Sequence, residues 1–110
     1  MVLQLTAQNF QREVIDSAVP VLVDFWSPGC GPCRAIAPVI DELAAAAGGR
    51  FRVGKVNASQ EPDLAVRYRI SAVPTLLVFK GGSVFNSMVG YHDKRQLLKA
   101  LEPALDGSAA

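Results

Sequence analysis

Strand-like hydrophobic runs occur five times along the chain. They are rich in leucine, β-branched or aromatic residues and are bounded by glycine, proline or polar residues, which is typical of strands that face a core. The predicted strands cover residues 2–5, 21–26 (VLVDFW), 51–57 (FRVGKVN), 75–80 (TLLVFK) and 83–89 (SVFNSMV). The first is short and predicts an edge strand. The last two flank Gly81-Gly82, which predicts a β-hairpin with a two-residue turn.

Two helices are predicted in the first half of the chain. Apolar residues recur at helical spacing over residues 7–17, and Thr6 is the expected N-cap of that helix. The same spacing covers residues 34–47 and ends at a pair of glycines, which commonly terminate helices. Because Pro38 lies inside this second helix, we expect a kink there rather than a break.

Two more helices are predicted in the second half. Ser59 is the expected cap of a short helix that ends near residue 68 and tolerates Pro62 in its first turn. Asp93 and Gln96 are spaced as a capping box for a final helix, whose apolar face carries four leucines.

The order of the predicted elements is β-α-β-α-β-α-β-β-α, which indicates an α/β fold. Strand–helix–strand units imply parallel neighbours joined by right-handed crossovers, and the closing hairpin adds an antiparallel strand. We therefore expect one mixed sheet of five strands flanked by four helices. No linker or repeat divides the chain, so residues 1–110 are expected to form a single domain, with a frayed tail over residues 106–110.

Composition narrows the functional classes. Half of the 110 residues are hydrophobic, so a core can form without disulfide staples, and a net charge of +1 leaves no basic footprint for nucleic acid. The first residues resemble no secretory signal, and the longest apolar stretch, residues 18–26, is too short to span a bilayer. We expect a cytoplasmic monomer that binds neither nucleic acid nor a membrane.

The two cysteines, Cys30 and Cys33, stand close together in SPGCGPCR and allow three interpretations. A structural disulfide would close a very small ring, for which chain entropy predicts only about 2 kcal/mol of stabilisation. A zinc site needs four ligands, and His92 is the single histidine, so no metal is expected unless two chains pool their cysteines. A redox centre is the third interpretation, and it suits a close cysteine pair in a reducing cytosol.

The position of the pair before a predicted helix favours redox chemistry. Gly31-Pro32 separate the cysteines, and proline is well tolerated in the opening turn of a helix. The free N–H groups and the positive dipole end at a helix start stabilise a thiolate, which is the species that attacks disulfides. Because Cys33 lies deeper toward the apolar face, we expect Cys30 to attack a substrate disulfide and Cys33 to resolve the mixed disulfide.

Two longer stretches, FWSPGCGPCRAIAP and VPTLLVFKGG, resemble the thioredoxin family, whose active-site tetrapeptide is Cys-Gly-Pro-Cys. The resemblance runs from about residue 6 to residue 105 and also includes, in order and spacing, Asp24, Pro38, Lys55, Thr75, Gly82 and Gly90. It implies the thioredoxin fold and a protein-disulfide reductase that acts on disulfide-containing clients. It further implies recycling by an NADPH-dependent thioredoxin reductase, with no cofactor bound to the chain itself.

Asp24 stands among residues that are expected to be buried, so desolvation should raise the pKa of its carboxyl group. From the residues alone, an aspartate that reaches water at a strand end explains the position equally well. The resemblance assigns Asp24 the role of proton acceptor for Cys33, with Lys55 as its electrostatic neighbour. A solvated lysine at a strand end is the alternative for Lys55.

The resemblance also implies a client-binding surface. It places a cis proline, Pro74, beside the cysteines and leaves the backbone of Val73 free to pair with an extended client segment. Trp26 would pack under the active-site loop, and Gly90 belongs to the same surface. The chain departs from the family at Gly29, where most relatives carry tryptophan. We therefore expect an altered client range with the sulfur chemistry unchanged.

Two rival functions stay open at this point. An oxidase or isomerase would carry the same cysteine pair at a more oxidising potential, although Gly31-Pro32 favours the reducing end of the superfamily. A redox-gated binding module would use the cysteines to switch a surface formed by Trp26, Val73 and Gly90 without turnover.

Overall fold

Five strands form a mixed sheet in the order β1-β3-β2-β4-β5. The computed structural model describes residues 1–105, so the tail expected over residues 106–110 lies outside the described residues. The strands are β1 (Leu3–Leu5), β2 (Val21–Trp26), β3 (Arg52–Asn57), β4 (Thr75–Lys80) and β5 (Ser83–Val89). All five predicted strands are confirmed, and β2, β4 and β5 have the predicted bounds. β1 lies at an edge of the sheet, as its short run of apolar residues predicts.

Four helices flank the sheet within residues 1–105: a π-helix (Gln11–Ile15), α1 (Gly31–Ala46), α2 (Pro62–Arg67) and α3 (Lys94–Leu105). The capping box before α3 is confirmed. The N–H of Gln96 donates to Asp93 Oδ1 and the N–H of Asp93 donates to Gln96 Oε1, each at 2.9 Å. α1 continues unbroken through Pro38.

Two predicted helix caps were wrong. The helix expected over residues 7–17 is a turn followed by the short π-helix, which no side chain caps. The side chain of Asn9 instead accepts the N–H of Thr6 at 2.8 Å. The N–H of Ser59 likewise donates to Asn57 Oδ1 at 3.0 Å, and α2 begins later, without a side-chain cap. At Ser59 the short asparagine side chain bonds the local backbone in a turn, which competes with the helix. At Thr6 the backbone carbonyl oxygen accepts the N–H of Phe10 at 2.9 Å, so a helical turn does start there, although no side chain caps the π-helix.

β4 runs antiparallel to β2, contrary to the expectation that each strand–helix–strand unit joins parallel strands. β1 and β2 do pair in parallel with β3, and the β4–β5 hairpin is antiparallel as predicted. The length of α2 explains the difference, because six helical residues rise only about 9 Å whereas six strand residues span about 20 Å. The chain therefore stays at the end of the sheet where β3 finishes. β4 begins at that end and runs back antiparallel to β2, with Thr75 opposite Phe25.

The two faces of the sheet bury separate cores. α1 and α3 cover one face, and their contacts with it include Leu22, Ile36, Ile40, Leu76, Leu97 and Leu101. The π-helix and α2 cover the other, where the core includes Phe10, Val23, Phe25, Val56 and Leu64. Because side chains alternate along a strand, Asp24 lies on the same face as Leu22, beneath α1. No helix within residues 1–105 has the length and apolar character needed to cross a membrane.

Candidate active site

Cys30 and Cys33 lie where α1 begins, beyond the carboxyl end of β2. Cys30 has extended backbone angles (φ −91°, ψ 112°), and its carbonyl oxygen accepts the N–H of Arg34 at 3.1 Å, so Cys30 is the N-cap of the helix. Pro32 occupies the first turn, where the missing N–H of proline breaks no hydrogen bond. α1 therefore begins at Gly31, before the predicted residue 34, and the cysteines stand at the helix start as expected.

The two cysteines form a disulfide, with their Cα atoms 5.2 Å apart. The peptide N–H of Cys33 donates to Cys30 Sγ at 3.2 Å. Cys33 is only 5 % exposed, whereas Cys30 is partly exposed. The pair is thus asymmetric. The sulfur of Cys30 accepts a hydrogen bond from a helix N–H group and is the sulfur that a partner can reach. The sulfur of Cys33 lies against the core.

A second segment, Val73–Pro74, lies beside the disulfide. The Val73–Pro74 peptide bond is cis, as the resemblance implies, and the carbonyl oxygen of Val73 lies 3.7 Å from Cys30 Sγ. The carbonyl oxygen of Pro74 accepts the N–H of Gly90 at 2.8 Å. These contacts bring three separate parts of the chain, at Cys30, Val73 and Gly90, to one end of the sheet, beyond the carboxyl end of β2.

Asp24 lies opposite Lys55 in the register between β2 and β3. Its side chain is 0 % exposed, and neither carboxyl oxygen has a hydrogen-bond partner among the described residues. Burial raises the pKa of Asp24 from 3.8 to about 6, and the positive charge of Lys55 opposes this rise in part. Of the two interpretations left open by the sequence, the buried carboxyl group is therefore correct, and it can exchange a proton near neutral pH.

Lys55 also contacts Trp26, the last residue of β2. Its Nζ lies 5.4 Å from the centroid of the indole ring, which is within the range of cation–π interactions. Trp26 Nε1 is buried without a hydrogen-bond partner among the described residues, while the side chain as a whole is only partly buried. Asp24 and Trp26 stand two residues apart and thus share the face of β2 beneath α1.

Gly29 is exposed and has φ +78°, a backbone conformation that favours glycine. A Cβ atom placed there would meet nothing within 4 Å. Glycine is therefore favoured at this position by the backbone conformation and not by a lack of space for a side chain. It also leaves the position just before Cys30 without a side chain, where the family resemblance leads us to expect tryptophan.

The structure adds two features that the sequence did not reveal. A cleft of about 310 Å³ runs beside Val73 and is lined by small residues that include Ser27, Ala58 and Ser59. Tyr91, next to Gly90, is 50 % exposed. The cleft residues are too scattered to form a sequence motif. An aromatic residue beside a glycine in a loop was the available signal for Tyr91.

No cluster of three or more His, Cys, Asp or Glu side chains suited to a metal ion occurs within residues 1–105.

Comparisons with known proteins agree with the fold and with the cysteine geometry. The family model described as Thioredoxin matches residues 1–103. Thioredoxin 1 of Nostoc sp. is 49 % identical over 102 residues, which cover 93 % of this chain and 95 % of that protein. The thioredoxin of Synechocystis sp. is 44 % identical over 102 residues, with the same coverage of 93 % and 95 %. A chloroplastic thioredoxin M4 of Arabidopsis thaliana is 44 % identical over 98 residues, or 89 % of this chain and 51 % of that protein.

Proposed function

The chain belongs to the thioredoxin family and is a thiol-disulfide oxidoreductase, and from this premise we propose that it reduces disulfides of client proteins with Cys30 as nucleophile and Cys33 as resolving thiol. The observation that carries the proposal is the asymmetry of the pair. The N–H of Cys33 donates to the partly exposed Cys30 Sγ, while Cys33 itself is buried. A helix N–H aimed at one sulfur stabilises negative charge on that sulfur in the reduced state.

The reaction begins with the dithiol form of the chain. The Cys30 thiolate attacks one sulfur of the client disulfide, and a mixed disulfide forms as the other client sulfur leaves as a thiolate and takes up a proton. The Cys33 thiol then loses its proton and attacks Cys30 Sγ, which releases the second client thiol. The client gains two electrons and two protons in total, and the chain is left with the Cys30–Cys33 disulfide.

Asp24 is the proposed acceptor of the proton that Cys33 loses. Its carboxyl group is buried beneath α1, the helix that carries Cys33, and its pKa of about 6 allows it to hold or release a proton near pH 7. The role of Lys55 is electrostatic, because its charge limits how far burial raises the pKa of Asp24.

The client is proposed to bind as an extended segment along Val73. Pro74 contributes no N–H, and Val73 lies next to the reactive sulfur, so backbone pairing there would hold a client disulfide beside Cys30. Trp26, Gly29, Gly31, Pro32 and Gly90 complete the proposed surface around the disulfide. Backbone pairing depends little on client sequence, which suits a general reductase.

Thioredoxins work with a reductase partner, and we propose that this chain is recycled by an NADPH-dependent thioredoxin reductase without a bound cofactor of its own. We further propose that it acts as a monomer in the cytoplasm, where it takes part in electron transport and redox homeostasis. A cytoplasmic site of action fits the Cys30–Cys33 pair, because cysteines in that compartment are kept reduced unless they cycle.

A coupled assay tests the proposal. The purified chain is mixed with a disulfide-containing protein, NADPH and a bacterial thioredoxin reductase, and loss of NADPH absorbance is followed. We expect continuous turnover with the native chain. Absence of turnover with a reductase that does reduce the Cys30–Cys33 disulfide of this chain would contradict the proposal and favour a binding module that switches without catalysis.

The two cysteines serve as controls for each other in the same assay. Cys30→Ser should abolish reduction, because no nucleophile is left to form the mixed disulfide. Cys33→Ser should also stop turnover, but it should accumulate a covalent complex with the client that non-reducing electrophoresis detects. Retained turnover in Cys30→Ser, or no complex with Cys33→Ser, would refute the assignment of the two roles.

A further inference from the structure

Positively charged residues occupy the first turns of α1 and α3, the two helices that cover one face of the sheet. α1 follows β2 and α3 follows β5, and these strands run in the same direction because each pairs antiparallel with β4. Both helices therefore begin at the end of the sheet that carries the disulfide. Arg34 lies in the first turn of α1, where its N–H donates to the carbonyl oxygen of Cys30. Lys94 and Arg95 are the first two residues of α3, and all three cationic side chains are exposed.

The first turn of a helix is an unfavourable place for a positive charge. It carries the positive end of the helix dipole, so cations there lower the stability of the helix and acidic residues raise it. Within their described residues, neither α1 nor α3 has an acidic residue in its first turn. α2, which covers the other face of the sheet, has Asp63 there. The unfavourable charges thus belong to the two helices on one side of the disulfide.

The chain offers little negative charge to compensate these cations. Both ion pairs found among residues 1–105 involve Glu13, in the π-helix, so the three cations have no ion-pair partner there. Asp93 is a single negative charge before α3, and its side chain already caps that helix. The next acidic residues on the two helices, Asp41 and Glu102, lie at least seven residues beyond the cations. That separation corresponds to about 10 Å along each helix axis.

We propose that Arg34, Lys94 and Arg95 form a basic docking site for acidic side chains that surround the disulfide of a client protein. The inference rests on the proposed function, because it states which disulfides that same site reduces fastest. Residues that lower stability without a compensating contact in the free protein are expected at functional positions. Bound acidic groups supply the missing contact, and opposite charges also steer the partner toward the disulfide.

The experiment compares two symmetrical peptide disulfides as oxidants of the reduced chain. In both peptides glycine flanks the cysteine, and each glycine is followed by two glutamates in one peptide and by two glutamines in the other. Second-order rate constants are measured at low and high NaCl concentration by acid quenching and mass spectrometry. Lys94→Glu and Arg95→Glu, each alone, should lower the rate constant for the glutamate peptide about fivefold at low salt. Each should leave the glutamine peptide within about twofold of its native value, and the loss should shrink at high salt because of screening.

Arg50→Glu is the matched control, because it changes the charge by the same amount. Arg50 is exposed and lies just before β3, at the end of the sheet opposite the disulfide. It should leave both rate constants within about twofold of their native values. Arg34 is kept in the variants because it follows Cys33 directly, and its replacement would also act on the sulfurs.

A second measurement distinguishes lost docking from lost folding. Lys94→Glu should raise the urea midpoint of the reduced protein, because glutamate is favourable in the first turn of a helix. The variant is therefore expected to be more stable and yet slower with the glutamate peptide. A lower midpoint would overturn the proposal, because Lys94 would then stabilise the free protein and need no partner.

The remaining outcomes separate the inference from the function on which it rests. No reaction of the native chain with either peptide contradicts the proposed function itself. Unchanged rate constants in Lys94→Glu and Arg95→Glu overturn the basic docking site alone. Equal losses on both peptides, a loss that persists at high salt, or the same loss in Arg50→Glu overturn it as well.

Discussion

Opposing effects act on the carboxyl group of Asp24, and burial outweighs the nearby positive charge. The side chain is 0 % exposed and lacks hydrogen-bond partners among the described residues, so its charged form is poorly stabilised. Lys55 favours the charged form, but its side chain is only partly buried and also contacts Trp26. The balance places the pKa at about 6, above the 3.8 expected for an exposed aspartate.

This raised pKa predicts a pH-dependent stability. Because the folded protein binds the proton of Asp24 more tightly than the unfolded chain, Asp24 favours folding below about pH 4, and that contribution is lost as the pH rises to about 6. The difference from 3.8 to about 6 corresponds to about 3 kcal/mol. The free energy of unfolding of Asp24→Asn relative to the native protein should therefore increase over this range and level off above it.

Urea denaturation of both proteins between pH 4 and pH 7.5 measures this difference. Asp41→Asn replaces an exposed carboxylate on α1 and is the matched control, for which no such trend is expected. A difference between Asp24→Asn and the native protein that stays constant over the range would refute the assignment. In the reductase assay, Asp24→Asn should slow release from the mixed disulfide more than its formation.

At the scale of secondary structure, the turn between β4 and β5 lies close to the end of the π-helix. Gly81 and Gly82 have φ +60° and +84°, which glycine adopts without strain. A Cβ atom on Gly82 would lie 3.1 Å from the carbonyl oxygen of Ile15, at the end of the π-helix. A Cβ atom on Gly81 would meet nothing within 4 Å. Both positions thus favour glycine because of their backbone conformation, and Gly82 also lacks space for a side chain.

A pair of substitutions separates these reasons. Gly81→Ala should lower the free energy of unfolding by about 1 kcal/mol through backbone conformation alone. Gly82→Ala should lower the free energy of unfolding by about 1 kcal/mol more than Gly81→Ala does, because the carbonyl group of Ile15 must also move. Guanidinium denaturation of the two variants checks this order, and equal losses would show that the contact with Ile15 is unimportant.

Across the whole molecule, we expect the fold not to depend on its disulfide. The Cys30–Cys33 bond closes a very short ring, whereas the two cores on opposite faces of the sheet hold the strands and helices together. Stability that resides in apolar burial stays available when the cysteines are reduced. A redox protein requires this, because both states must keep the same docking surface.

The oxidised chain should therefore be more stable than the reduced chain by only about 2 kcal/mol, which is the chain-entropy value for so small a ring. Denaturation of the native protein with and without a reducing agent measures the difference. The double variant with both cysteines changed to serine should fold and match the reduced protein. Its failure to give a cooperative transition would show that the fold does need the bond.

Local sequence patterns alone predicted the strands, the order of the elements, the capping box at Asp93 and the reactive cysteine pair. Each of these depends on neighbours within a few residues, either through hydrophobic period or through the chemistry at a helix start. The family resemblance then pointed to Asp24 and Pro74. Local patterns failed at Thr6 and Ser59, where asparagine side chains bond the backbone in turns.

The direction of β4 and the composition of the site surface arise only when the whole chain folds. β4 is antiparallel because α2 is too short to return the chain across the sheet, a consequence of geometry rather than of composition. The contact of Cys30 with Val73 spans 43 residues of sequence, and Tyr91 joins that end of the sheet through the bond of Gly90 to Pro74. Contacts between residues so far apart in the sequence form only when the chain packs, so the local hydrophobic pattern does not predict them.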